Sequence, residues 1–123
     1  MIHWILNKNY GVFQEKYYTN ADIFLFPSNY DIWGLVLVEA MAHSLVCISS
    51  IHAGATSDLI VEGITGFSVD FSDLNDLEKK VINLINDRTQ IISIGRKANK
   101  YIEDKFSIDQ SANQFVKAIT NEF

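Results

Sequence analysis

Residues 21–51, ADIFLFPSNYDIWGLVLVEAMAHSLVCISSI, decide the fold class. The run at 21–28 is short, apolar and stopped by Pro27, which is typical of a strand buried on both faces. A helix that is apolar nearly all round is predicted next, from about Gly34, and a second buried strand is predicted at 45–51. Strand, helix and strand in this order predict a βαβ unit with a parallel sheet.

The rest of the chain extends this pattern. A third short strand is predicted at 64–70, ITGFSVD, where apolar and polar residues alternate. Helices are predicted at 8–19, from about Ser57, from Ser72 as the cap, over 91–102, and from Ser107, where Gln110 completes a capping box and Val116 faces inward. We therefore predict an α/β fold with a partial Rossmann-like parallel sheet of about three strands flanked by helices.

Composition bounds the function classes. The chain has 123 residues, of which 48% are hydrophobic, so one packed domain is expected rather than disorder. The formal net charge of −5 disfavours nucleic acid as a partner. Cys47 is the only cysteine, which excludes an internal disulfide, and its place in a buried strand favours packing over nucleophilic catalysis. No apolar run is long enough to span a bilayer, and no secretory signal is expected at residues 1–10.

Glu39 is a carboxylate in a helix that otherwise looks built for burial. Burying a carboxylate is costly unless it is paired or hydrogen-bonded. One reading is a salt bridge to a lysine or a bond to a loop amide. The other is functional, because a carboxylate near the start of this helix can accept hydrogen bonds from both hydroxyls of a vicinal diol.

The second reading draws support from the residues around the two predicted strand ends. In parallel α/β sheets, ligands bind beside the carboxyl ends of the strands and the N-termini of the following helices. Ser28, Asp31, Trp33, Gly34 and Leu35 follow the first strand. We expect the amides of Gly34 and Leu35 to form an anion site, with Gly34 letting a ligand approach the backbone. Trp33 has two readings, stacking on a sugar ring or packing under the loop.

His52 and Gly54 follow the second strand at the same predicted edge. For His52, a contact to a phosphate and plain exposure on the surface both remain open. No cluster of metal-ligating residues is visible in the sequence, so no metal site is predicted.

Several of these residues form an ordered set of motifs. They are PS at 27–28, Asp31, WGL at 33–35, EAMA at 39–42, Gly54, EGITG at 62–66 and KFSIDQSANQF at 105–115. From about Tyr17 to Val116 the chain resembles the donor-binding half of GT-B glycosyltransferases of the large retaining group that includes sucrose and glycogen synthases. The order of the motifs is more specific than a lone glycine pattern. Several positions depart from the family pattern. Asp31 stands where glutamate is usual, Ser44 where glycine usually ends the helix, Ile51 where aspartate is usual, and Ser57-Asp58 where the pattern has Pro-Glu.

The resemblance implies roles for individual residues. Glu39 would hold the ribose hydroxyls of a nucleotide-sugar, and Asp31 would contact hydroxyls of the transferred sugar; these are the candidate catalytic residues. The amides of Gly34 and Leu35 would face the donor's sugar and distal phosphate. Ser28, Trp33, His52 and Gly54 complete the candidate substrate-binding set.

The resemblance also implies the wider function. Residues 1–123 would be part of the C-terminal nucleotide-sugar-binding domain, without the N-terminal acceptor domain and the first βα units. The enzyme would transfer a hexose from a nucleotide-diphosphate sugar to a glycan or lipid-linked acceptor, retaining the anomeric configuration and using no metal. We expect surface polysaccharide or glycolipid synthesis in the cytoplasm or at the inner face of the membrane. The chain alone would be inactive or very weak.

A different class of function stays open. The chain would then be a non-catalytic α/β module that pairs with itself or with another subunit, because an open sheet edge invites pairing. An unrelated small flavodoxin- or receiver-type domain is a further alternative. It would carry an acidic cluster at the end of the first strand, which ADIFLFPS lacks.

Overall fold

A computed structural model describes residues 12–31, 34–106, 109, 112–113 and 116–117. In this part of the chain helices alternate with strands. The elements in chain order are α1 (Val12–Thr19), β1 (Ile23–Phe26), α2 (Leu35–Ala42), β2 (Val46–Ser50), α3 (Thr56–Leu59), β3 (Gly66–Val69), α4 (Leu74–Ile85) and α5 (Arg88–Phe106).

The three strands form one parallel sheet in the order β1-β2-β3. Ile23 pairs with Val46 across the first two strands, and Cys47 pairs with Gly66 across the second and third. Parallel neighbours require a crossover, and α2 and α3 supply it in turn. The α/β fold with a partial, three-stranded parallel sheet is therefore confirmed.

The central strand β2 is buried along its whole length because strands flank it on both sides and the two faces of the sheet are covered. One hydrophobic cluster contains Cys47 together with residues of α2 and the C-terminal part of α5. The other contains Val46 and Ile48 together with residues of β3, α4 and the N-terminal part of α5. Successive side chains of a strand point to opposite faces, so β2 contributes to both clusters.

The prediction that β1 is buried on both faces is wrong. Phe24 and Phe26 pack against the first cluster, but Leu25 is 43% exposed. The strand lies at the edge of the described sheet, and the helices of the second cluster pack mainly on β2 and β3. An apolar run therefore overstates burial where one face lacks a covering helix.

The prediction for α2 also overstates burial. Leu37, Ala40 and Met41 are fully buried, whereas Leu35 at its start is 62% exposed. The helix packs against β2 and α5. Its exposed apolar residue, Leu35, lies at its start, next to the loop that follows β1.

The C-terminal helices correct two further predictions. Asp73 caps α4, since its side chain accepts a hydrogen bond from the Asp76 N–H, whereas the predicted cap Ser72 bonds to Asp70. Val116 is 55% exposed, so its predicted inward position is wrong. The predicted capping box of Ser107 and Gln110 lies outside the described residues. The predicted buried stripe of α5 is confirmed at Ile91, Ile94, Ala98 and Ile102.

None of the helices within the described ranges combines the length and the apolar character that crossing a membrane requires.

Candidate functional site

The carboxyl ends of the three strands lie at one edge of the sheet because the strands are parallel and in register. In the described part of the chain, the loops that leave this edge are residues 27–31 together with Gly34, residues 51–55 and residues 70–73. Most of the predicted site residues lie in the first two of these loops. Trp33 lies outside the described residues, so its stacking role stays a prediction.

The first two loops are joined through Asp31. Its backbone carbonyl accepts a hydrogen bond of 2.8 Å from the Gly54 N–H, and Asp31 forms an isolated parallel bridge with Ala53. The pairing of β1 with β2 thus continues beyond the ends of the strands. It places two predicted site residues, Asp31 and Gly54, side by side.

Gly34 ends the first loop in a backbone conformation that needs glycine. Its φ of 78° is left-handed, and a Cβ added there would lie 3.1 Å from the Phe26 ring and 3.5 Å from the Ala55 side chain. The close packing of the loop on Phe26 fixes where α2 begins. The start of the helix is therefore held at the carboxyl edge of the sheet.

The side chain of Asp31 closes this turn. Its Oδ1 accepts a hydrogen bond of 2.9 Å from the Gly34 N–H. The amide that the sequence assigns to a ligand is therefore already bound by a carboxylate of the same loop. Leu35 is the first residue of α2, and a first-turn N–H has no intrahelical acceptor, so its amide suits the predicted anion contact better.

Glu39 lies one turn further along α2 and is only partly buried. Its Oε2 accepts a hydrogen bond of 3.4 Å from the Tyr18 hydroxyl of α1. The ion pairs of the described residues involve Lys80, Arg88 and Lys100 with other acids, and none of them includes Glu39. Within this part of the chain the salt-bridge reading of Glu39 has no support.

Tyr18 is a residue that sequence reasoning passed over as one of several aromatic residues in an amphipathic helix. It is 5% exposed, and its ring makes an edge contact with Phe24 at 5.9 Å between centroids. On another side it faces the His43 ring at 5.1 Å. The signal in the sequence was a tyrosine on the apolar face of the helix, because its hydroxyl needs a hydrogen-bond partner when the ring is buried.

His52 and Ser28 lie at the same edge with fewer contacts. The His52 N–H donates to the Ser50 hydroxyl, and the imidazole is exposed. Ser28 is partly buried in the first loop. Exposure suits either reading of His52, a phosphate contact or plain surface.

Asp70 is an acid at this edge that sequence reasoning missed, although it directly follows β3. Hydrogen bonds from the Ser72 side chain and N–H, and then the nearby charge of His52, hold the pKa of Asp70 below its ordinary value. This interaction links the loop after β3 to the loop after β2. A carboxylate held ionised beside His52 makes the edge more acidic than the first two loops alone suggest.

A buried network of hydrogen bonds holds the loop that follows β2 in place. The Thr56 hydroxyl bonds to the Ser49 hydroxyl and to the Ser50 carbonyl, each at 2.7 Å. Cys47 of the same strand is fully buried, and burial raises the pKa of its thiol well above the ordinary range. The thiol is therefore inert packing, as predicted. Within the described ranges no three His, Cys, Asp or Glu side chains come together to hold a metal ion.

This chain is similar to known proteins in sequence and in fold. The family described as Glycosyl transferases group 1 matches this chain over residues 1–105. The capsular polysaccharide biosynthesis glycosyltransferase CapM of Staphylococcus aureus is 36% identical over 92 residues, which are 75% of this chain and 24% of that protein. The matched part of this chain thus spans about a quarter of the length of that relative.

Two solved structures share the fold. The C-terminal domain of a group 1 family glycosyl transferase, LpcC, from Francisella tularensis is 26% identical, with a TM-score of 0.71 over 87% of this chain and 53% of that one. HepE of Anabaena, solved in complex with UDP-glucose, is 19% identical, with a TM-score of 0.76 over 88% of this chain and 30% of that one. At that identity the likeness to HepE shows the fold alone.

Proposed function

Because this chain belongs to the glycosyl transferases group 1 family, we propose that it supplies part of the donor site of an enzyme that transfers a hexose from a nucleotide-diphosphate sugar. In the proposed reaction the bond from the sugar's anomeric carbon to the diphosphate breaks and a bond to an acceptor hydroxyl forms. The acceptor's proton leaves with the diphosphate, and the anomeric configuration is retained. The acceptor is a glycan or lipid-linked saccharide.

The observation that carries this proposal is the state of Glu39. Its carboxylate lies on an apolar helix beside the ligand-binding edge of the sheet, and among the described residues its side-chain partner is the Tyr18 hydroxyl rather than a cation. Two carboxylate oxygens offer about four acceptor positions, which a vicinal diol can use. We therefore assign Glu39 to the ribose hydroxyls of the donor.

The remaining roles follow from the same edge. We assign Asp31 to hydroxyls of the transferred sugar, because the loop after β1 places it at this edge beside Gly54. We assign the Leu35 amide to the distal phosphate, because it opens α2 at an exposed position. Ser28, Trp33, His52 and Gly54 complete the proposed lining.

Charge indicates what the rest of the enzyme must contribute. The chain has a formal net charge of −5, and Asp31, Glu39 and Asp70 add negative charge at the proposed site. A diphosphate needs neutralising groups that this edge does not offer. We propose that they come from a further part of the donor domain, that an acceptor domain faces this edge, and that no resident metal is involved.

UDP-glucose in HepE and the capsular polysaccharide role in the name of CapM support, by analogy, a sugar nucleotide donor and a place in surface polysaccharide or glycolipid synthesis. We also propose that the enzyme acts in the cytoplasm or at the inner face of the membrane. The proposal does not specify the base of the nucleotide or the sugar that is transferred.

The proposal is tested by NMR titration of this chain with the uridine, guanosine and adenosine diphosphate sugars. We expect saturable binding of one of them, with weak affinity. Glu39→Gln should raise its Kd about tenfold, since a hydrogen bond to a charged group contributes about 1.5–3 kcal/mol. Glu103→Gln, which changes an exposed acid of α5, is the matched control and should leave Kd unchanged. Absence of binding to all three donors, or equal effects of the two variants, would contradict the proposal.

A second candidate function rests on the sheet edges. In the described part of the chain β1 and β3 each have a strand neighbour on one side only, which favours edge pairing with another chain. The non-catalytic module predicts a stable dimer without nucleotide binding. Sizing the same sample by light scattering therefore separates it from the donor-site proposal, which predicts binding by the monomer.

A further inference from the structure

Tyr18 reaches the proposed donor site from outside it. The residue belongs to α1, yet its hydroxyl lies 3.4 Å from Oε2 of Glu39 on α2, 21 residues further along the chain. The ring is 5% exposed and belongs to the first hydrophobic cluster. The hydroxyl is thus the polar end of a core side chain, and it points at the carboxylate proposed to hold the ribose of the donor.

The ring cannot easily move away from that position. Phe24 of β1 contacts it edge-on at 5.9 Å, and the His43 ring packs at 5.1 Å on another side. His43 is itself tied to α2, because its Nδ1 lies 2.8 Å from the Glu39 carbonyl oxygen. Two neighbours on separate elements therefore fix the direction in which the Tyr18 hydroxyl points.

The length of the contact matters for what it can do. An optimal hydroxyl–carboxylate bond is about 2.6–2.8 Å, so the 3.4 Å contact is a weak one. A weak bond to one oxygen orients the carboxylate without using its capacity to accept from a ligand. No side-chain oxygen of Glu39 is buried without a partner, so the remaining acceptor positions reach solvent.

Orientation of Glu39 has a value for binding. A free glutamate side chain loses up to about 2 kcal/mol of rotamer entropy when it is fixed. A neighbour that restricts the side chain before the ligand arrives lowers this cost. The benefit is confined to ligand groups that Glu39 itself contacts.

We propose that Tyr18 is a positioning residue, which orients the Glu39 carboxylate for the vicinal diol of a ribonucleoside diphosphate. This inference rests on the proposed function, because it takes the diol of the donor as the partner of Glu39. It predicts that loss of the Tyr18 hydroxyl weakens recognition of the ribose 2′-hydroxyl and leaves recognition of the rest of the nucleotide intact.

The test compares uridine diphosphate with 2′-deoxyuridine diphosphate on the full chain, by NMR titration. If the guanosine or adenosine diphosphate sugar binds more tightly, the ribo- and 2′-deoxynucleoside diphosphates of that base are compared instead. The unmodified chain should prefer the ribonucleotide. Tyr18→Phe should reduce the ratio of the deoxynucleotide Kd to the ribonucleotide Kd about two- to threefold, the lower end of what a hydrogen bond contributes, because the 3.4 Å contact is weak. The Kd for the deoxynucleotide should stay the same. Tyr101→Phe, which removes a 2.7 Å bond to the Asp58 carbonyl on another surface, is the matched control and should leave the ratio unchanged.

The outcomes separate the two proposals. A Tyr18→Phe ratio equal to that of the unmodified chain overturns the role of Tyr18, and a Glu39→Gln effect in the same experiment leaves the donor site standing. Equal weakening of both nucleotides also overturns it, because that is the result of a purely structural role. Failure of the unmodified chain to distinguish the two nucleotides overturns both proposals.

Discussion

Gly95 of α5 lies directly against the backbone carbonyl of Ser44, with no room between them for a side chain. Ser44 forms the turn between α2 and β2 and has a left-handed φ of 61°. α5 thus approaches the backbone of this turn and packs across α2. The contact holds the end of α2 in place, and with it the helix that carries Glu39.

Gly95→Ala should destabilise the chain by about 1–3 kcal/mol, because the added methyl group forces α5 away from the turn. The Gly66 position shows the same kind of limit, since a Cβ there would lie 2.6 Å from the Cys47 carbonyl oxygen. Urea unfolding followed by circular dichroism measures the loss. Gly63→Ala is the control. Gly63 has a φ of 73° and open space around it, so an alanine there is destabilised by the backbone conformation alone. A Gly95→Ala variant as stable as the unmodified chain would show that α5 shifts freely.

Ser44→Gly should stabilise the chain by about 0.5–1 kcal/mol. The left-handed region is about 1–2 kcal/mol less favourable for a residue with a Cβ than for glycine. Part of the stabilisation from the substitution is offset, because glycine is more flexible in the unfolded chain. Ser44 stands where the family usually has glycine, and its φ of 61° shows that the left-handed turn is kept. The midpoint of urea unfolding measures the change, with Ser44→Ala as the control that keeps the Cβ. A destabilised glycine variant would mean that the serine side chain contributes more than the strain costs.

Asp31→Ala should reduce the free energy of unfolding by about 1 kcal/mol, the usual net value of a hydrogen bond. One interaction that it removes is the 2.9 Å bond from the Gly34 N–H to Oδ1, which closes the turn before α2. Asp31→Asn keeps an acceptor oxygen at this position and should retain most of the stability. Urea unfolding of the three proteins measures their free energies of unfolding. Equal stability of the alanine variant and the unmodified chain would show that the bond to Gly34 does not stabilise the fold.

Part of this structure follows from local sequence pattern. The parallel sheet was predictable because short apolar runs bounded by Pro27 and by glycines alternate with helical segments. The buried face of α5 was predictable because Ile91, Ile94, Ala98 and Ile102 recur at helical spacing. Burial of Leu25 and Leu35 was overestimated, because an apolar run does not reveal which face lacks a covering neighbour.

The contacts of the candidate site were not predictable in the same way. The bond from Gly34 to Asp31 depends on the left-handed backbone of Gly34, and the bond from Asp31 to Gly54 depends on how two loops meet. The contact between Tyr18 and Glu39 depends on how α1 docks against α2. The last two contacts join segments whose relative position is set by tertiary packing, on which hydrophobic periodicity carries no information.

Lys80 ties α4 to the strand β3 and to the turn before it. Its Nζ bonds to the Ser68 carbonyl and to Asp76, each at 2.9 Å, and lies 3.4 Å from Glu62. Glu62 also accepts bonds from the N–H and the hydroxyl of Ser68. Partial burial of the ammonium lowers its pKa, but the Asp76 bond and the charges of Glu62 and Asp76 outweigh this, so the pKa is raised above the ordinary 10.5.

Lys80→Met should therefore destabilise the chain by about 1–2 kcal/mol at neutral pH. A raised pKa in the folded state means that the stabilisation is fully present below the unfolded value of 10.5 and is lost as the pH rises through the folded value. The difference in unfolding free energy between the unmodified chain and the variant should be constant from neutral pH to about pH 10 and shrink above it. Urea unfolding of both proteins across this pH range measures the difference. The tyrosines also titrate in this range, but their contribution is the same in both proteins and largely cancels. Lys79→Met changes an exposed neighbour on the same helix and should show neither the loss nor its pH dependence. A Lys80 difference that persisted unchanged at about pH 11.5 would show that the methylene chain, rather than the ammonium, stabilises the junction of α4 with β3.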